Sequence, residues 1–121
     1  MESILIVDDD VNICTMLSEE LMEIGYDTYF LTSGKDVLEY VQNNQVDLIL
    51  LDLKMPSKNG FEVLQELQYN NLDIRVIVLT AYADVQSAIE AANLGASDFI
   101  SKPYDFDELL ITIRKTVQRE V

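Results

Sequence analysis

The stretch Ile4-Leu5-Ile6-Val7-Asp8-Asp9-Asp10 sets four apolar residues directly against three carboxylates. Four branched apolar residues in a row, with no polar alternation, read as a short strand buried on both faces, because a strand with one wet face alternates. Two further runs of the same kind, Leu48-Ile49-Leu50-Leu51 and Val76-Ile77-Val78-Leu79, predict two more central strands. Thr28-Tyr29-Phe30-Leu31 and Asp98-Phe99-Ile100-Ser101 mix polar with apolar positions and so read as strands nearer the sheet edges.

The intervening segments carry helical spacing. Cys14, Leu17, Leu21 and Ile24 form the inward stripe of a first helix that Gly25 ends, and Ser33 precedes a second helix carrying Val37, Leu38 and Val41. Phe61, Leu64 and Leu67 follow Gly60, read here as a turn residue. Val85, Ala88, Ile89 and Ala92 make a fourth stripe, stopped by Gly95. Phe106, Leu109, Leu110, Ile113 and Val117 repeat behind Asp105, with Glu108 placed for a capping box. Five strands alternating with five helices require parallel pairing with right-handed crossovers. The expected fold is therefore α/β, a parallel sheet with helices on both faces, in a single domain covering residues 1–121.

Composition narrows the chemistry. The 121 residues hold 22 acidic and 8 basic side chains and no histidine, a formal charge of −14, and neither half of the chain is basic. Phosphate backbones demand the opposite sign, so direct nucleic-acid binding is not expected. With 49% apolar residues the chain can bury a core. No apolar stretch approaches the roughly 20 residues of a membrane span or resembles a signal segment, so no membrane association and a cytoplasmic location are expected. Lacking histidine, and with Cys14 as its single cysteine, the chain has no internal disulfide, no His- or Cys-based zinc site, and no Ser-His or Cys-His nucleophile. Carboxylates, hydroxyls and lysine remain.

In a parallel sheet the functional crevice lies beyond the carboxyl ends of the strands, where the strand order reverses. The first strand ends in Asp8-Asp9, the third in Asp52, the fourth in Thr80, and the fifth runs into Lys102-Pro103. If the first and third strands are neighbours about 4.8 Å apart, Asp8, Asp9 and Asp52 must crowd together. Three crowded carboxylates suit a shared hard dication, and Mg²⁺ fits because it takes oxygen ligands while keeping waters and a phosphate oxygen. Lys102 offsets the remaining charge and Thr80 can donate a hydrogen bond. Such a site suits a phosphoryl group, with Asp52, the middle carboxylate, as the nucleophile. Asp52 also ends a buried apolar run, an expensive place for a carboxylate without a task. Asp10 reads as the cap of the first helix.

Four motifs in order, Ile4–Asp10, Leu50-Leu-Asp-Leu-Lys-Met-Pro56, Leu79-Thr-Ala81 and Ser101-Lys-Pro103, resemble the receiver domain of two-component response regulators over the whole chain. The resemblance implies a flavodoxin-like three-layer sandwich with strand order 2-1-3-4-5 and Asp52 as phosphoacceptor. It implies Mg²⁺ held by Asp9, Asp52 and the backbone carbonyl of Lys54 with Asp8 in support, Lys102 paired with the phosphoryl group, and a cis Lys102-Pro103 peptide. Thr80 would sense the phosphoryl group, and Phe99 stands where the family has an aromatic switch, here without the tyrosine hydroxyl. The segments around Leu79–Val85 and Leu94–Phe99 are similar to receivers of the nitrogen-regulatory, enhancer-binding type, which implies a role in transcriptional regulation.

A chain without histidine cannot be its own phosphohistidine donor, so the expected partner is a sensor histidine kinase or a His phosphotransfer protein. On a helical wheel Met16 stands off the buried stripe and Ile13 at its margin, making them the docking candidates. In similar proteins the loop after the fifth strand, here Pro103-Tyr104, belongs to the same surface. Self-association is expected through the fourth helix, fifth strand and fifth helix. An aspartate-nucleophile phosphatase would carry an acid two residues after Asp52, where this chain has Lys54. A flavin-binding relative would need a hydroxyl- and glycine-rich loop where this chain has Asp8–Asp10. The expected role is therefore a phosphoacceptor switch and not a turnover enzyme, either free-standing or the N-terminal module of a longer regulator.

Overall fold

A computed structural model describes residues 2–118. Five strands, β1 (Ser3–Val7), β2 (Asp27–Leu31), β3 (Leu48–Leu51), β4 (Arg75–Thr80) and β5 (Asp98–Ser101), alternate with five helices. These are α1 (Val11–Glu23), α2 (Val37–Asn43), α3 (Gly60–Tyr69), α4 (Val85–Asn93) and α5 (Phe106–Gln118). All pairings are parallel and the order is β2-β1-β3-β4-β5, so the sheet has the expected flavodoxin-like arrangement with β2 and β5 at its edges.

Alternation along the strands divides the core in two. Ile4, Ile6, Leu48, Leu50, Ile77 and Leu79 face one way and pack on Cys14, Leu17 and Leu21 of α1 and on Leu109 and Ile113 of α5. Leu5, Val7, Ile49, Leu51, Val76 and Val78 face the other way, against residues of α2, α3 and α4. Every residue of β3 is buried, which explains its uninterrupted apolar run. Truncating one of these filled positions, such as Leu17 to alanine, costs about 2–5 kcal/mol through lost transfer energy and a residual cavity.

The helix ends follow local chemistry. Asp10 caps α1, its carboxylate accepting from the Asn12 and Ile13 amides, and Asp84 caps α4 through the Ser87 amide. A reciprocal capping box between Asn59 and Glu62 opens α3. Gly25 and Gly95, with φ of 104° and 98°, take the left-handed conformation just past α1 and α4.

Two readings of helix faces need correction, and the start of the second helix gains a detail. Ile24 is not part of the inward face of α1: it is the C-cap residue and 43% exposed, because the helix ends one residue before the stripe would bring it round to the sheet. Ser33 caps a single 3-10 turn, Gly34–Asp36, which then runs into α2. On α4 the stripe is turned outward: Val85 is 76% and Ile89 50% exposed and Ala92 is exposed too, while Ala91 is the buried residue. Half-buried Ser87 and Ala88 lie on the inner side of the same helix.

Candidate functional site

The pairing of β1 with β3 places Val7 opposite Leu51, so the next residue of each strand, Asp8 and Asp52, emerges side by side at the carboxyl edge of the sheet. The Asp52 amide donates to the Val7 carbonyl at 2.9 Å, extending the ladder to the site itself. Carboxylate oxygens of Asp8, Asp9 and Asp52 lie within 4.8 Å of one another, with Asp8 and Asp52 buried and Asp9 exposed. The Lys102 amide donates to the Thr80 carbonyl at 2.9 Å, fixing the start of the β5–α5 loop beside β4. From there the Lys102 ammonium reaches Asp8 Oδ2 at 2.5 Å and Asp52 Oδ2 at 3.7 Å. Asp8 Oδ1 accepts from the Asp10 amide at 2.9 Å, so both oxygens of Asp8 are engaged and its side chain is fixed.

Asp52 differs electrostatically from an ordinary surface carboxylate. Burial raises its pKa and the Asp8 charge adds to the rise, while the Thr80 hydroxyl, the Lys102 ammonium and the Lys54 backbone amide stabilise the ionised form. A desolvated, basic carboxylate held by three donors is a suitable nucleophile for an electrophile bringing its own charge neutralisation. The donor set on offer, three carboxylates at the mouth of a crevice of about 580 Å³, matches a hard divalent cation and not a soft one.

The remaining expected residues surround this centre. Thr80 is fully buried, and its Oγ1 accepts from the Tyr82 amide at 3.2 Å. Phe99 is half-buried and packs against the core on the α2, α3 and α4 side of the sheet. Lys102-Pro103 is cis, as the family resemblance implied. Beside the acidic crevice an apolar hollow of about 540 Å³ is lined by Ile13, Met16, Glu20, Pro103, Tyr104 and Phe106, bringing all four docking candidates to one surface. Met16 is 51% exposed and Ile13 half-buried, as the helical wheel indicated. The Tyr104 hydroxyl donates to Glu20 Oε1 at 3.2 Å, tying the β5–α5 loop to α1. Burial, then the Glu20 charge, pushes that phenol up to about 12.

Three features were not anticipated. The Lys54 ammonium lies 4.4 Å from the centre of the Tyr82 ring, a cation–π contact bridging the β3–α3 and β4–α4 loops beside the crevice. An aromatic residue two positions after Thr80 was the available signal. Gly60, read as a turn residue, is a close-approach residue: a Cβ there would lie 2.5 Å from the Asp52 carbonyl oxygen and 2.8 Å from Leu53 Cα. Glu20 carries no such signal in the sequence, since a glutamate on a helix reads as solvated surface.

An open parallel sheet with an acidic pocket at the ends of its central strands, and a lysine reaching into it from the β5–α5 loop, defines a class of aspartate-centred signalling modules, and the comparisons with known proteins agree. The response regulator receiver domain family matches residues 4–114, and the chain belongs to that family. It is 40% identical over 114 residues to the transcriptional regulatory protein ZraR of Escherichia coli strain K12, covering 94% of this chain and 26% of the relative. The chain thus spans about a quarter of the length of that regulator. It is 38% identical to sporulation initiation phosphotransferase F of Bacillus subtilis strain 168, covering 94% of this chain and 92% of that protein. Among solved structures, the response regulator protein TrrA from Thermotoga maritima, in complex with Mg²⁺-BeF, superposes with a TM-score of 0.86 at 35% identity, covering 96% of this chain and 99% of that one. Transcriptional regulators among the relatives agree with the regulatory type that the Leu79–Val85 and Leu94–Phe99 segments resemble. Among the described residues no helix is long and apolar enough to cross a membrane.

Proposed function

We propose that residues 1–121 form one receiver unit that accepts a phosphoryl group on Asp52 from a phosphohistidine of a sensor kinase or His phosphotransfer protein. The observation that carries this reading is the buried Asp52 carboxylate, flanked by Asp8 and Asp9 and bridged to Asp8 by Lys102. One Asp52 oxygen attacks phosphorus, the phosphorus–nitrogen bond of the donor breaks, and the donor imidazole, already carrying a proton on its other ring nitrogen, departs as a neutral ring with the bond's electron pair. Asp9, Asp52 and the Lys54 carbonyl would hold Mg²⁺, with Asp8 in support. When bound, that ion neutralises charge on the phosphoryl oxygens. Lys102 shifts from its present carboxylates toward the new anion, and the Thr80 hydroxyl turns to donate to it.

Movement of Thr80 withdraws the acceptor from the Tyr82 amide and leaves space beside β4 that Phe99 fills by turning inward. Such a shift re-aims α4, whose outward Val85, Ile89 and Ala92 form an unpartnered apolar strip suited to a second copy or an output domain. Arg114 and Lys115 of α5 add salt-sensitive contacts to an acidic partner; residues 119–121 of this expected face lie outside the described residues. Ile13, Met16, Pro103 and Tyr104 receive the donor protein. The unit works in the cytoplasm as a switch in transcriptional control, assisting its own phosphorylation and slow dephosphorylation without binding nucleic acid itself.

The test is incubation with acetyl phosphate and Mg²⁺ followed by intact-mass and peptide mass spectrometry. One phosphoryl mass on Asp52, absent in Asp52→Asn and suppressed by EDTA, is expected. A label on another residue, or a rate indifferent to EDTA, overturns the mechanism.

A further inference from the structure

At the sheet edge farthest from α4 and β5, the Tyr29 ring of β2 stacks on the Tyr40 ring of α2 with centroids 4.8 Å apart and planes 7° from parallel. Asp27, Tyr29 and Leu31 share one face of β2, so the pair and a carboxylate lie together on the α2 side of an edge strand. Tyr29 is 52% exposed, on a strand at the edge of the sheet. The pair forms a wall common to two hollows of about 270 and 250 Å³.

The larger hollow is lined by Tyr29, Tyr40, Asp36, Glu39, Asn43 and Asn44. Its polar chemistry is strongly biased toward acceptors. Asn43 and Asn44 donate their amide hydrogens to the Glu39 and Tyr40 carbonyls at 2.8 and 3.0 Å, which leaves their carboxamide oxygens for a ligand. Asp36 and Glu39 are exposed carboxylates, and the last turn of α2, the negative end of its dipole, holds no basic residue. Asp27 lines the smaller hollow on the other side of the rings. Two π faces, carboxylates, free carboxamide oxygens and a helix C-terminus all favour a cation.

We infer that this β2–α2 face docks an arginine side chain from a basic segment of a partner protein. The planar guanidinium stacks on an aromatic face while its forked donors meet Asp36, Glu39 and the carboxamide oxygens. A lysine ammonium offers charge without the stacking plane, and a hard metal ion gains nothing from the rings. The chain's net charge of −14 steers a basic segment toward it at long range. The inference does not depend on phosphorylation at Asp52, which lies at the carboxyl edge of the central strands.

The experiment is titration of the ¹⁵N-labelled chain, with Mg²⁺ present, with a tetra-arginine peptide and in parallel with tetra-lysine. Expected are shifts concentrated in residues 27–31 and 36–44, tighter binding of arginine than of lysine, and weakening by salt. Tyr29→Leu and Glu39→Gln should each weaken arginine binding by about three- to fivefold, whereas Tyr29→Phe, which keeps the ring face, should not. Shifts centred on the Asp8–Asp9–Asp52 crevice or spread evenly over the surface overturn the assignment, as does equal affinity of Tyr29→Leu and wild type.

Discussion

Replacing Asp52 with asparagine should make the folded chain more stable at neutral pH without divalent cations, although it removes the proposed phosphoacceptor. At an effective dielectric constant of about 20, two like charges no more than 4.8 Å apart repel by about 3.5 kcal/mol or more, which sets the scale for Asp52 against Asp8. Lys102 at 3.7 Å attracts Asp52 by a similar amount but is shared with Asp8, which it approaches to 2.5 Å. The desolvation of a carboxylate only 10% exposed therefore stays partly uncompensated, in line with its raised pKa. Asparagine keeps the shape and the acceptor for Thr80 and the Lys54 amide while removing the charge, and a gain of about 1–3 kcal/mol follows. The pH dependence carries the sign. Because the folded-state pKa of Asp52 is raised, its contribution favours folding below its ordinary value of 3.8 and is lost as pH climbs through the raised value. The advantage of the variant should therefore be full at pH 7 and shrink toward pH 4. Urea unfolding at both pH values measures it. Equal or lower stability of Asp52→Asn at pH 7, or a difference that persists unchanged at pH 4, would refute the electrostatic account.

Three further substitutions separate the parts of the site. Lys102→Met should cost about 3–5 kcal/mol in urea unfolding at neutral pH, since it strands two buried carboxylates, and should strongly slow labelling by acetyl phosphate; a silent substitution would mean the ion pairs carry no weight. Gly60→Ala should cost about 1–3 kcal/mol, because the new Cβ meets the rigid backbone of Asp52 and Leu53 instead of a yielding side chain, and thermal melts that match wild type would contradict the packing. Met16→Asp should slow transfer from a cognate kinase while leaving acetyl phosphate labelling intact, and an equal loss of both rates would point to a damaged fold.

Much of this architecture is legible in the chain because its central strands carry unambiguous signals. Leu48–Leu51 is buried on both faces, so burial leaves no polar residue to confuse the reading, and Asp52 stands out where the run ends. α4 was harder. Its inward face is made of small residues, Ser87, Ala88 and Ala91. Its larger apolar residues, Val85 and Ile89, point to solvent, and a stripe drawn through the largest side chains selects the wrong face. Gly60 shows a different limit: close approach depends on α3 returning to the Asp52 peptide, a relation between segments that local patterning does not encode. The bridge from Lys54 to Tyr82 joins two loops 28 positions apart in sequence and follows only from the β3–β4 pairing.

The isolation of Cys14 gives the chain an internal clock. Its thiol is fully buried, donates to the Asp8 carbonyl at 3.3 Å, and is pushed up to about 11 by burial and then by the charges of Asp8 and Asp10. Thiolate is scarce and the sulfur inaccessible while the fold is closed, so an alkylating reagent can react only during excursions that separate α1 from the end of β1. With one sulfhydryl in the sequence, the alkylation rate reports those openings, and counts them one by one when the reagent is fast enough to outpace reclosing, at the strand end that carries Asp8 and without any introduced label.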